Sequence, residues 1–217
     1  MTAPLQDALL DVRKAYRLLA DYQQRMFELL GYIREQLGAS AYHHQYVYPL
    51  PQGLDGLEKR DNSGRRYLPF YDLSAIWLKN GGQDAPWDNH LPGDLMFGAW
   101  IRSDTGFDQH SGQFSPEPVE QTRSELVLSV VVCDRPAAKP CNWFGNVWQG
   151  IDYPEDGEVN ATDLPGYRCF SKAIALDQLA DKAAIEAALE EWRTLASRQL
   201  GLSVDAFQRL DDRHVHS

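Results

Sequence analysis

At 217 residues, 43% hydrophobic and 24% charged, the chain can bury a sizeable core without staples, and its composition excludes disordered and fibrous classes. Three cysteines, Cys133, Cys141 and Cys169, form no Cys-x-x-Cys pair, which argues against a disulfide framework and a structural zinc site and fits a reducing compartment. The net charge of −10 sits in the middle, where residues 38–166 hold 18 acids and nine bases, a field that repels nucleic acid and favours a cationic partner.

The first residues carry no basic and apolar leader, and no apolar run is long enough to span a bilayer, so a cytoplasmic protein without a membrane partner is expected. The chain reads as one α+β domain over 1–217. It comprises an N-terminal helix over 1–38, a sheet region with long loops over 42–176, C-terminal helices over 177–210 and a loose tail over 211–217. Pro4 suits the first turn of the helix and Gly38 its end. Between them Leu9, Val12, Tyr16, Leu19, Gln23, Met26, Leu30, Ile33 and Leu37 recur in steps of three and four. That heptad seam is compatible with a monomer or with a homodimer through this helix. Leu10, Leu18, Phe27, Leu29 and Tyr32 widen the stripe and favour packing within the chain. An unbroken helix would run about 50 Å, longer than a compact chain of this size is wide, so a break near Gly31 or a protruding end is expected.

Tyr42 to Tyr48 reads as a strand with Tyr42, His44, Tyr46 and Tyr48 on one face, and Glu58 to Arg66 as a basic hairpin tip. Tyr67 to Lys79 forms a second strand, in which Asp72 and Ser74 interrupt an apolar stripe; a carboxylate there needs a partner, which makes Asp72 a candidate for chemistry. Asp94 to Arg102 reads as an inner strand. Ser103 to Arg123 is a polar loop of unusual length. Glu125 to Asp134 is the densest β-branched run and the expected central strand, with Leu126, Leu128, Val130, Val132 and Asp134 on one face and Glu125, Val127, Ser129, Val131 and Cys133 on the other. Asn142 to Gly150 suggests a return strand, Asp152 to Asp163 an acidic loop, and Tyr167 to Leu176 the last strand. Asp177 or Asp181 caps the C-terminal helix, and Gly201 ends it. The fold class is therefore α+β, with a mostly antiparallel sheet of five to seven strands between two helical segments.

No Walker loop, Gly-x-Ser-x-Gly elbow, His-Glu-x-x-His or EF-hand loop occurs, so no cofactor or metal site is expected. The leading expectation is a non-enzymatic binding module, of antitoxin, immunity, inhibitor or adaptor type, that presents acids and an exposed ring to a basic protein partner. Its surface would include Trp87, Asp84, Asp88, Asp104, Asp108, Asp152, Glu155, Asp156 and Glu158. A hydrolase, metal-dependent or not, is the alternative, using Asp72, Glu125 or Asp134 with His44, and requires those side chains to converge. A third reading is a small-molecule sensor whose sheet and Tyr42 to Tyr48 face form a pocket. Thiol chemistry would pair Cys133 with His44.

Overall fold

The structure is a computed structural model that describes residues 3–46, 72–108, 113–114, 117–161, 164–208 of the chain. The expected hairpin tip at Glu58 to Arg66 and the tail over 211–217 lie outside the described residues, as do the side chains of His44, Asp72 and Asp108. The chain divides into two compact units, residues 1–32 and 33–217.

The first unit is helical. It is the greater part of α1, Ala3–Gln36, which continues unbroken through Gly31. The expected break is absent, because one glycine inside a helix costs only about 1 kcal/mol, too little to interrupt so many good helix formers. The two halves of the heptad seam differ. Leu9, Val12 and Tyr16 are exposed, whereas Met26 and Leu30 are buried.

The second unit opens with the last turn of α1, where Ile33 and Leu37 are fully buried. Gly38 ends the helix in the left-handed region at φ 64°, and its N–H donates to the Glu35 carbonyl. Six strands follow in one sheet: β1 Ser40–Tyr46, β2 Asp72–Lys79, β3 Leu95–Arg102, β6 Glu125–Cys133, β7 Val159–Ala161 and β8 Tyr167–Ala175. Their order is β1-β2-β3-β6-β8-β7, every pair antiparallel, with β3 and β6 at the centre. The chain between β3 and β6 is less irregular than its composition suggests. It contains the short pair β4 Phe107–Asp108 and β5 Gln113–Phe114, and its base is tied by Thr105 N–H to the Arg123 carbonyl and by Ser124 Oγ–H to the Ser103 carbonyl.

One sheet face is covered by α2, Lys182–Leu200, whose start is capped by Asp181 accepting from the Ala184 N–H at 2.9 Å. Trp192 packs against Phe97, Phe170 and Phe207, and its indole N–H donates to the Leu128 carbonyl. Buried Arg193 donates to the carbonyls of Gln36 and Phe207, fixing the end of α1 and the last 3-10 turn beside α2. The even-numbered residues of β6 belong to this face, as the two-residue period requires.

The other face has two halves. Around the ends of β3, β6 and β8 nearest Cys133 it is filled by Met96, Val131, Cys133, Trp143, Val147, Tyr167 and Cys169. The lid is the segment expected as a strand, Asn142 to Gly150, which instead forms a π-helical turn, Trp143–Val147, and a 3-10 turn, Trp148–Gly150. Asn142 is the reason. Its Oδ1 accepts from the N–H groups of Phe144 and Gly145, satisfying donors that a strand would offer to a neighbour and starting a helical turn.

Candidate functional site

The second half of that face is hollow, and the cause lies in three strands read across their register. Gly98 of β3 faces Ser129 of β6, which faces Ser171 of β8. The next row is Ser74, Trp100, Val127 and Ala173, and the row after it contains Arg102 and Glu125. Small side chains in neighbouring strands leave a pocket of about 470 Å³ above the sheet. Val127, half-buried in a strand otherwise buried throughout, is part of its floor.

Trp148 forms a wall. A β-carbon at position 98 would lie 2.4 Å from its Cζ3 and 2.9 Å from its Cη2, so the benzo edge of the indole stands directly on the glycine. Tyr153 meets Trp148 edge to face at 5.3 Å. Asp156, also in the wall, accepts from the Ala173 N–H and from Lys172 Nζ, both at 2.6 Å. Burial pushes its carboxyl up, but these two hydrogen bonds and the lysine charge outweigh that and hold it below the ordinary value.

The far end is ionic. The Glu125 side chain is only 3% exposed; Oε1 accepts from Arg102 Nη1 at 2.7 Å and Oε2 from Arg123 Nε at 2.9 Å. Arg102 also lies over the Trp100 ring, 5.1 Å from its centroid. The Trp100 Nε1–H is buried and has no acceptor among the described residues.

Of the hydrolase candidates whose side chains are described, Glu125 and Asp134 lie apart. Glu125 stands in the pocket, while Asp134 lies beyond the opposite end of β6. There it is bound by Arg168 through Nε at 2.5 Å and Nη2 at 2.7 Å, which holds its carboxyl below the ordinary range. Among the described residues no three His, Cys, Asp or Glu side chains are placed to hold a metal.

A second cavity of about 310 Å³ lies beside His90, Cys141 and Tyr167. His90 is stacked on Trp143 at 3.9 Å, and its Nδ1 is 2.7 Å from the Tyr167 hydroxyl. Burial lowers the imidazole pKa, against the Trp87 carbonyl and the charges of Asp94 and Asp88, which raise it. The Tyr167 hydroxyl also reaches the thiols of Cys133 and Cys141. Burial pushes Cys133 up to about 11, so its thiol stays protonated at neutral pH and is no nucleophile. This cluster is a neutral, hydrogen-bonded part of the core.

The acidic surface is partly committed inward. Asp88 accepts from Asn142 Nδ2, Asp104 from the Gly106 N–H, and Asp156 as above. Asp84, Asp152, Glu155 and Glu158 are exposed. Trp87 is 47% exposed, and Leu91, in the same loop, 46%. Sequence reasoning passed over Gly98, Ser171, Trp148, Tyr153, Arg102 and Arg123 as site residues. The sequence signal for the pocket is confined to small residues, Gly98, Ser129 and Ser171, set among bulky ones in three strands.

Residues 2–201 match the family described as PM0109. A protein of Pasteurella multocida (strain Pm70), described as uncharacterized protein PM0109, is 31% identical over 204 residues, covering 91% of this chain and 96% of its own length. No solved structure matches. Among the described residues no helix is long and apolar enough to cross a membrane. The matched stretch takes in both units, the whole sheet and the pocket, and the chain belongs to the PM0109 family.

Proposed function

We propose that this chain is a non-enzymatic small-ligand-binding domain, a sensor or carrier, whose site is the pocket on the sheet face opposite α2. The observation that carries the reading is the row Gly98, Ser129 and Ser171, which withholds bulk where the rest of the same face is filled. Packed interiors leave few such voids, and a pocket of this size lined by rings with a few polar groups at one end has the character of a ligand site. Glu125 acts against hydrolysis, since both its oxygens are taken by guanidinium groups and, among the described residues, no histidine lines the pocket. Three free thiols support a reducing, cytoplasmic setting.

The test is a thermal-shift screen of small aromatic and aliphatic metabolites against the wild type and against Ala173→Phe, which fills the floor. Compounds that raise the melting temperature of the wild type alone support the site, because a ligand bound only to the native state stabilises it. Equal shifts in both proteins place binding elsewhere and reject it.

A second reading, docking of a basic protein, is favoured by one observation, the paired exposure of Trp87 and Leu91 beside Asp84. Salt-sensitive capture of a stoichiometric basic partner by the wild type, lost in Trp87→Ala, supports it. Capture unchanged by that substitution removes Trp87 from the surface.

A further inference from the structure

We propose that the pocket takes a flat aromatic acid, with its carboxylate on Arg102 and Arg123 and its apolar body against Trp148. The inference rests on the small-ligand reading and gives that ligand a chemistry. The argument is one of charge matching. Among the described residues, four ionisable side chains line the pocket: Arg102, Arg123, Glu125 and Asp156. Both acids are already satisfied by the protein. Asp156 is held by Lys172 and the Ala173 N–H, while the single Glu125 carboxylate is shared by two guanidinium groups. Among these described side chains, one positive charge is therefore left over at the Glu125 end.

Donors are left over as well. A guanidinium carries five N–H groups, and Glu125 takes one from Arg102, at Nη1, and one from Arg123, at Nε. The remaining forks are planar and match a carboxylate in shape. The side chains of Arg102 and Arg123 are 32% and 71% exposed, so both can be reached. Arg102 is also held in place, between Glu125 and the Trp100 ring, so less freedom is lost when an anion binds. Among the described residues, a cationic ligand would meet two guanidinium groups and no unsatisfied carboxylate.

The body of the ligand follows from the rest of the lining. Val127 and Ala173 give an apolar floor, and Trp148 stands upright on Gly98 with Tyr153 at its edge, a wall suited to a flat ring. The overall charge of −10 repels anions at a distance, so discrimination has to come from this local excess and not from long-range steering.

The experiment is calorimetric titration of the full chain with three probes of one shape and different charge: 2-naphthoate, 2-naphthamide and 2-naphthylmethylammonium. The proposal expects naphthoate to bind at least about tenfold more tightly than the amide, the scale of a charge-assisted hydrogen bond, and the cation most weakly. Arg123→Gln, at an exposed position that leaves Glu125 its Arg102 partner, should lower naphthoate affinity about tenfold and leave the amide unchanged. Equal affinity of acid and amide, both lost in Ala173→Phe, overturns the anion assignment while the pocket stands. Naphthoate binding that survives Ala173→Phe overturns both readings, and absence of binding by any probe overturns the aromatic-acid assignment.

Discussion

Gly98→Ala is the sharpest perturbation that the packing allows. The added carbon would sit 2.4 Å from Trp148 Cζ3 and 2.5 Å from Ser129 Oγ, both well inside the 3.4 Å at which ordinary contact begins. The indole has to swing away from the sheet, which breaks its edge contact with Tyr153. Ser129 has to rotate, and its 3.2 Å hydrogen bond to the Gly98 carbonyl goes with it, leaving a buried hydroxyl without an acceptor. Overpacking of this kind costs about 1–3 kcal/mol and the lost hydrogen bond about 1 kcal/mol, so a loss of about 2–4 kcal/mol is expected. For a domain of this size that is a fall of about 4–16 °C in melting temperature. Urea denaturation followed by circular dichroism measures it. The double variant with Trp148→Ala removes the main clash, so the two substitutions should couple by about 1 kcal/mol or more. A Gly98→Ala protein within about 0.5 kcal/mol of wild type, or single effects that simply add, refutes the contact between the indole and the glycine.

Three further outcomes are expected. Glu125→Gln leaves Arg102 without its anion and should destabilise by about 1–3 kcal/mol, read by urea denaturation; an unchanged midpoint would remove the ion cluster from the fold's support. Asp134, whose carboxyl is held below its ordinary value of 3.8 by Arg168, adds stability that is present above that value and lost as pH falls through the lowered one. Both partners are partly exposed, so Asp134→Asn should cost at most about 1 kcal/mol at pH 7, with the gap to wild type closing in acid. Thiol titration at pH 8 should find Cys133 and Cys169, raised by burial to about 11 and about 12, silent in the native protein and reactive once urea unfolds it.

The sheet was legible where one residue type settles the matter. The run Leu126 to Cys133 can hardly be anything but an inner strand, and Asp181 and Gly201 mark the ends of α2 through chemistry confined to a few neighbouring residues. The segment Asn142 to Gly150 was not, because its Val and Trp content suits a strand while a single side-chain oxygen on Asn142 turns the backbone into a helix. The pocket was hidden for a different reason. Gly98, Ser129 and Ser171 are far apart in sequence, each is unremarkable alone, and only the register of three strands places them in one row. Glu125 drew notice as an acid at a strand end. Its role as the shared acceptor of two guanidinium groups depends on Arg102 lying opposite it, which is again a matter of register.

The alternation along β3, β6 and β8 separates two tasks residue by residue. Positions 98, 129 and 171 border the pocket, while their chain neighbours Phe97, Ala99, Leu128, Val130 and Phe170 are buried in the core. A change at the first set resizes the hollow and leaves the layer beneath α2 in place, except at Gly98, where Trp148 rests. Members of a family built on this sheet can therefore change the size and lining of the hollow while keeping the same foundation, with Ser171 and Ala173 as places where such a change begins.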